Sequence, residues 1–477
     1  MTVMTAVAFF KEQITEGIFV EDILYTLATA CLLLVVMAVG LIDGGLVRRK
    51  NVLETWVQKI VASLIAGGAF LIIGYGIWNW QYYEAFGIPE PLSQAIKDWW
   101  IFGPNLTHIG QQLDPKLAPS AEVFQIFAAF FFAYACVIGA LLHSAGLERV
   151  KALPMYVIAF LAGGLVMPVL AYYTWGSVSP LTNAGTHDFL GVFSLYIFVG
   201  VWALILAWRA GPRIGAFVAD KRTTGPHPYN LGMSASGVAL LLFAVPFLAI
   251  GCGFLVADAG YFGISMTTSG FGLIVVNIMA AFVGGTVGGA IISYRMKNPL
   301  FAVLGPVAGY VGCAAMLDIG KPWECFVVAL FSPVFFLLVY EILLKLKIDE
   351  KKVVPLGLGC GIYGAIIAGF IGNGEKTGGY FGLEGEYGFQ HASISPGMQL
   401  AGVGVVLGIS IVTGLIVIVG LEKTIGLRVS EEKELAGLDA TLWNSPPPKG
   451  LDEEAYGIGH TPGDGITAPA GAGSVAT

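Results

Sequence analysis

The 477-residue sequence carries too few charges for a soluble protein of its length. Hydrophobic side chains make up 56% of it, and Asp, Glu, Lys and Arg together only 12%, against about 25% charged residues in soluble domains. With a net charge of −7 and no basic patch, the chain gives no support to nucleic-acid binding. Its six cysteines are scattered without a CxxC pair, which predicts small buried thiols and no metal or disulfide framework.

Apolar stretches about as long as a bilayer is thick recur from the first part of the chain onward. The twenty positions between Asp22 and Asp43 carry no charge, and neither do the twenty between Lys297 and Asp318. Such continuous runs favour helices over barrel strands, so the predicted fold class is an all-α polytopic membrane protein. The eleven predicted spans cover about residues 22–43, 57–80, 121–144, 153–175, 187–209, 230–255, 265–293, 299–318, 323–344, 353–373 and 398–422.

The loops between these spans alternate in their content of Lys and Arg. One side carries most of these residues, and the opposite loops hold only Lys97, Lys116, Lys321 and Lys376. The positive-inside rule therefore predicts a multi-pass protein of the cell (inner) membrane, with its N-terminus outside and its C-terminus in the cytoplasm. The first residues lack the pattern of a clear signal peptide, so we expect Met1 onward to be retained.

Two domains are predicted, a transmembrane channel-like domain over residues 1–425 and a cytoplasmic tail over 426–477. The tail contains Ser445-Pro446-Pro447-Pro448, and its Gly/Ala/Pro-rich end is expected to be disordered. The external loop at about 81–120 is long and aromatic. It is either an interfacial aromatic belt or a lid over a pore mouth.

Other motifs in the chain do not indicate an enzyme. Gly359 to Gly364 fits GxGxxG, but this segment lies inside an apolar span with no preceding strand, which favours helix packing. No two of the six histidines stand at metal-ligand spacing, and no Ser-His-Asp, P-loop or haem signature appears. We therefore predict no catalysis, no cofactor and no metal.

Short motifs near the ends of the spans follow one another in a familiar order. They are Gly44 to Leu53 after span one, Phe124-Gln125 at span three, Trp175-Gly176 after span four, Ala184-Gly185, Pro228-Tyr229-Asn230-Leu231 at span six, Pro355 to Gly364 in span ten, and Gly437-Leu438-Asp439 and Glu453 to Gly457 in the tail. This order resembles the ammonium transporter (Amt/Mep/Rh) family. Because the motifs run from span one to the tail, the resemblance covers the whole membrane domain.

The resemblance implies a homotrimer of eleven-helix subunits, each with its own pore between a 5+5 inverted repeat of helices. It also implies ammonium, ammonia or another small solute as substrate, and a P-II-type signal protein as a cytoplasmic partner. In the family pore, an external aromatic cage attracts ammonium by cation–π contact. Aromatic rings gate an apolar passage, and two facing imidazoles exchange protons.

This chain departs from the family at both imidazole positions. Counted from Ala184-Gly185, the span-five histidine falls on Leu190, and the span-ten histidine falls on Gly357. His187 lies about one turn before Leu190. It either substitutes after a register shift or is a solvated histidine at the membrane boundary.

The remaining pore positions are also altered, apart from two aromatic residues. Trp175 keeps its place and is expected to line the external vestibule, and Phe127 stands for a gating aromatic. The altered positions are Thr182, in place of the family aspartate, with Asn183 beside it; Cys252, in place of a serine; and Leu248, in place of a gating phenylalanine, with Phe247 adjacent.

Two functions stay open at this point. The first is a family channel or transporter for ammonium, ammonia or another small solute, with altered pore chemistry. The second is a non-conducting sensor or a structural subunit of a membrane complex that keeps the fold.

Overall fold

The structure, a computed structural model, describes residues 16–107, 121–217, 228–253 and 270–445. Lys116, the motif at 453–457 and the three prolines after Ser445 lie outside these ranges. Eleven helices, α1 to α11, correspond in order to the eleven predicted spans. They are Glu16–Leu46, Arg49–Ala85, Ala121–Ala145, Ala152–Thr174, Val192–Ala210, Leu231–Gly251, Phe271–Met296, Leu300–Cys313, Pro322–Lys345, Pro355–Ile371 and Pro396–Thr424.

Nine of these helices are long and apolar enough to cross a membrane, and α8 and α10 are shorter apolar helices. The all-α fold class is confirmed. The described strands are β1, Lys376–Thr377, and β2, Ala392–Ser393, which form an antiparallel pair between α10 and α11.

The region predicted as an external loop at 81–120 is partly helical. Helix α2 continues to Ala85, and a short helix, Pro91–Trp99, begins with proline at its first position, where the missing N–H costs nothing. Tyr82 and Trp99 are buried within the protein. The loop prediction was therefore wrong at its start, because aromatic packing extends the helix beyond the apolar stretch.

The two halves of the bundle pack in matching ways. In the first half α2 contacts α3 and α4, and in the second half α7 contacts α8 and α9. The corresponding helices of the two halves also meet, α1 with α6 and α5 with α10. This arrangement is the one expected from a 5+5 inverted repeat, and it places α1, α5, α6 and α10 around the centre.

Glycines allow α7 to pack closely between its two neighbours. A methyl group added at Gly285 would lie 2.7 Å from the Cα atom of Gly309 on α8, and one added at Gly284 would lie 3.0 Å from Ala329 Cβ on α9. Gly284, Gly285, Gly288 and Gly289 repeat small residues four positions apart, a spacing that predicts close helix packing, and the structure shows that they do form helix contacts. The six cysteines, all within the described ranges, are buried and free.

The first part of the tail folds against one end of the bundle. Two short helices, Glu431–Ala436 and Leu438–Trp443, follow α11. The Asp439 carboxylate accepts the backbone N–H groups of Leu53 and Glu54, at 3.0 and 2.8 Å, at the start of α2. We call this end of the bundle the tail end. The expected disorder of the last residues concerns positions outside the described ranges.

Candidate functional site: a central apolar cavity

A cavity of about 80 Å³ lies in the middle of the bundle, between α1, α3, α5, α6, α7, α8 and α10. Leucine and valine supply most of its wall. Among the described residues that line it, none carries a carboxylate, an amine, a guanidinium or an imidazole. The polar side-chain atoms at the wall are the hydroxyl groups of three tyrosines and the thiol of Cys252.

Four of the ten predicted site residues line this cavity, namely Leu190, Leu248, Cys252 and Gly357. They come from opposite sides of the bundle. Leu248 and Cys252 belong to α6 and its C-terminal end, Gly357 belongs to α10, and Leu190 precedes α5. The structure thus brings together four of the residues that the resemblance assigned to the altered pore. The other six predicted residues lie elsewhere.

Trp175 and Phe127 belong to an aromatic cluster beside the cavity. The Trp175 ring is fully buried, stacks on Tyr134 with ring centroids 4.7 Å apart, and donates a hydrogen bond from Nε1 to the Phe189 carbonyl at 3.3 Å. Phe127 packs edge-to-face on Phe131 at 4.8 Å. Trp175 therefore faces protein and not lipid.

Thr182, Asn183 and Phe247 lie outside the cavity wall. Thr182 and Asn183 form a turn of 3₁₀ helix between α4 and α5, in which the Asn183 side-chain oxygen accepts the Gly379 N–H at 3.1 Å. Phe247 is half-buried on α6, 5.4 Å from Phe243. Asn183 thus joins the α4–α5 connection to the segment after α10, whereas the Thr182 hydroxyl donates to the Thr174 carbonyl at 3.4 Å.

His187 is a buried histidine that lies outside the cavity wall. Its ring is fully buried, with Nε2 at 2.8 Å from the Asp318 carboxylate, and its backbone N–H donates to the Gln399 side chain at 2.8 Å. It does not line the cavity. The reading of His187 as a solvated histidine was wrong, because Asp318 and Gln399 provide the buried polar partners that a histidine needs inside a protein. Its substitution for the family histidine stays a prediction.

Asp188 is a site residue that the sequence analysis missed. It is fully buried, and its carboxylate accepts the backbone N–H groups of Val192 and Phe193, at 2.7 and 3.1 Å, at the start of α5. The first N–H groups of a helix have no partner within the helix, so Asp188 fixes where α5 begins. The signal was present in the sequence. In the family that the chain resembles, Ala184-Gly185 corresponds to the end of an Asp-aromatic-Ala-Gly motif, and Asp188-Phe189-Leu190-Gly191 fits that motif at three of four positions.

The match of residues 188–191 to this motif changes which residue of span five corresponds to the family histidine. The earlier count places the histidine position five residues after the glycine of the motif. Counted from Gly191 instead of Gly185, that position is Tyr196. Tyr196 lines the cavity and faces Tyr310 of α8 edge-to-face, with ring centroids 6.3 Å apart. A phenol side chain thus occupies the cavity wall on α5.

Gly357 leaves no room for a side chain on the opposite wall. A methyl group added there would lie 2.8 Å from the Gly200 Cα atom of α5 and would overlap the Tyr196 carbonyl oxygen. The backbones of α5 and α10 therefore occupy the space that a side chain at this position would need.

We expect Gly357→Ala to destabilise the protein by about 1 to 3 kcal/mol, the usual cost of overpacking. Gly408→Ala on α11 is the matched control, because nothing lies within 4 Å of the added methyl group. There alanine should be neutral or stabilise the helix by about 0.5 to 1 kcal/mol. Unfolding midpoints of both variants in a mild detergent measure the difference. Equal midpoints would contradict the close approach of α5 and α10.

Comparison with known proteins identifies the family. The model of the Ammonium Transporter Family matches residues 23–445, which is most of the chain. The chain belongs to the ammonium transporter family. Ammonium transporter Amt1 of Methanocaldococcus jannaschii is 28% identical over 412 residues, covering 84% of this chain and 90% of the relative. Ammonium transporter Amt1 of Archaeoglobus fulgidus is 26% identical, covering 86% and 95%.

Solved structures of the family share the fold. A structure titled "Sensor Amt Protein" has a TM-score of 0.70 at 19% identity and covers 89% of this chain and 98% of its own. Candida albicans Mep2 has a TM-score of 0.66 at 20% identity and covers 91% of both chains. The family resemblance and the eleven-helix architecture are thereby confirmed. The chain is a membrane transporter of a transporter family, not a member of an enzyme family.

Proposed function

We propose that this transporter passes a neutral small molecule, ammonia or a solute of similar size, and does so without an imidazole proton relay. The observation that carries the proposal is the lining of the cavity, in which Tyr196 and Gly357 stand at the two family histidine positions. Imidazole takes up and releases protons near neutral pH, whereas a phenol hydroxyl keeps its proton there.

The cavity wall favours a neutral solute over a cation. An ion that enters the cavity loses its hydration shell, and burial of an unpaired charge costs several kcal/mol at least. The hydroxyl groups of Tyr134, Tyr196 and Tyr310 can exchange hydrogen bonds with a small neutral molecule such as ammonia. They cannot neutralise a charge.

We expect the purified protein in proteoliposomes to give no ammonium-driven current and to accelerate ammonia entry, measured with an internal pH dye, above protein-free vesicles. Val245→Phe, which adds a ring to the cavity wall, should reduce this entry at least several-fold. Val283→Phe is the control, since Val283 is exposed on the outer face of α7. A saturable ammonium current from the unmodified chain would refute the proposal.

A non-conducting sensor or structural subunit is the second candidate. It is favoured by burial at both ends of the cavity, where Cys252 and Val353 are 1% and 4% exposed, as in a closed pore. No ammonia entry and no current, together with a saturable change in tryptophan fluorescence on ammonium addition, would support this function instead.

We also propose the assembly and orientation that the family and the charge pattern imply. The chain forms a homotrimer, its N-terminus is extracytoplasmic, and the tail end faces the cytoplasm of the cell, where a P-II-type signal protein can reach it. The boundary between membrane domain and tail lies near residue 425, where α11 ends at Thr424.

A further inference from the structure

The polar side-chain atoms of the central cavity lie toward the end that is far from the tail. Helix α3 runs toward the tail end, and on it Tyr134 precedes Leu141. Helices α6 and α8 run the opposite way. Cys252 follows Leu241 at the C-terminal end of α6, and Tyr310 lies in the last turn of α8. Cys252 interacts electrostatically with both tyrosines. These groups therefore meet at one end of the cavity, which we call its polar end.

The half of the wall nearer the tail end is apolar. Its side chains are those of Val39, Leu141, Val199, Leu241, Val307 and Leu356. Leucine and valine have no donor or acceptor group, so this half, which we call the apolar end, offers a solute contact with hydrocarbon. The cavity is therefore amphiphilic along its length.

Phenol hydroxyl groups supply the hydrogen-bonding capacity of the polar end. The Tyr134 hydroxyl donates to the Gly191 carbonyl at 3.3 Å, which leaves its oxygen as an acceptor. The side chains of Tyr196 and Tyr310 interact with each other across the cavity wall. Because every hydroxyl group can both donate and accept, a solute head group at this end finds donors and acceptors together.

The volume of the cavity sets the size of the solute that fills it. An apolar protein cavity of about 150 Å³ binds benzene, which corresponds to about 25 Å³ for each non-hydrogen atom. By this measure the cavity of about 80 Å³ has room for about three such atoms. Ammonia has one, so ammonia alone would leave most of the apolar end empty and without contacts.

We propose that the cavity preferentially binds neutral molecules that combine one hydrogen-bonding head group with a two-carbon alkyl group, a class that includes ethanol and unprotonated ethylamine. The head group lies against Tyr196 and Tyr310, and the alkyl group lies at the apolar end. This inference rests on the proposed function, because it keeps a neutral solute, and it narrows that solute to one size and polarity.

Binding of straight-chain alcohols to the full chain tests the size of the solute. Alcohols are neutral across the working pH range, and saturation-transfer NMR in a perdeuterated detergent measures their dissociation constants. We expect ethanol to bind about fourfold more tightly than methanol, the factor for one buried methylene group, and 1-butanol to bind less tightly than ethanol because it is too long for the cavity. Val245→Phe, which adds a ring to the cavity wall, should abolish this binding.

A comparison of ethanol with propane tests the polar end, because the two molecules have the same number of non-hydrogen atoms. Tyr196→Phe and Tyr310→Phe each remove one hydroxyl group and keep the ring. Each should weaken the binding of ethanol several-fold without weakening that of propane. Tyr363→Phe is the matched control, because the Tyr363 hydroxyl donates to the Val328 carbonyl at 3.3 Å and does not line the cavity. Neither affinity should change in this variant.

Three results would overturn the inference. The first is the absence of saturable alcohol binding to the native chain. The second is unchanged ethanol binding in Val245→Phe, which would place the site outside the cavity. The third is equal binding of ethanol and propane that neither tyrosine variant alters, and these conservative variants decide the matter even if Val245→Phe fails to fold. A failure of the proposed function looks different, since it appears as an ammonium current in the flux assay, whatever the dissociation constants.

Discussion

Asp188→Ala is expected to lower the free energy of unfolding by about 3 to 5 kcal/mol. The fully buried carboxylate accepts the N–H groups of Val192 and Phe193, and its removal leaves both donors buried without a partner. Each unsatisfied donor costs about 1 to 3 kcal/mol. The midpoint of unfolding in a mild detergent measures the loss. Ammonia entry should fall with it, because the start of α5 positions Tyr196.

Two further variants separate this role from a general effect of removing an aspartate. Asp188→Asn keeps one acceptor oxygen and should recover part of the stability. Asp98→Ala removes a half-buried aspartate whose partners are the Tyr83 and Gln94 side chains, and it should cost no more than about 1 kcal/mol, as exposed polar pairs do. Similar losses for Asp188→Ala and Asp98→Ala would show that Asp188 is not the cap of α5.

Glu148→Gln is expected to destabilise the protein by about 3 kcal/mol at pH 7. Glu148 follows α3 at the tail end, with Arg48 and Arg213 each 2.9 Å from its buried carboxylate. Burial alone would raise the pKa of Glu148, but the two guanidinium groups outweigh it and lower this pKa from 4.5 to about 2. The difference corresponds to about 3 kcal/mol of stability.

The pH dependence of this effect has a definite sign. Because the pKa of Glu148 is lowered in the folded protein, the stabilisation is fully present above about pH 4.5 and is lost as the pH falls towards 2. The difference between native protein and Glu148→Gln should therefore shrink over that window. Glu422→Gln is the control, because its ion pair with Arg209 is about one-third exposed and should contribute less than about 1 kcal/mol. A constant difference between pH 7 and pH 3 would contradict the assignment.

The sequence predicted the eleven helices because charge-free stretches of bilayer length leave little choice of structure. Helix ends were less predictable. Helix α2 extends to Ala85 in a region where Tyr82 and Trp99 both pack against Phe124 of α3, a contact that forms only when the chain folds. Span eight was predicted to reach residue 318, yet α8 ends at Cys313.

The candidate site was only partly predictable for similar reasons. The motif that sets the register of α5 fits the chain at two places, and only the hydrogen bonds of Asp188 distinguish them. Lys59 was a signal that the sequence analysis did not use. It lies within predicted span two, and an ionisable residue inside a membrane span is a functional candidate by default. The structure pairs it with a residue far away in sequence, since Lys59 Nζ lies 2.7 Å from Asp43 Oδ2 of α1.

The contact between Gly200 and Gly357 also decides which walls of the cavity can move. There α5 and α10 meet backbone to backbone, so no side-chain rotamer can rearrange to widen or narrow the gap between them. The spacing of α5 and α10 is therefore set by backbone atoms at this point. We expect the fluctuations that admit a solute to arise instead from side chains that line the cavity, among them Leu32, Val35 and Leu241 of α1 and α6. Substitutions there should change the rate of entry without displacing the two central helices.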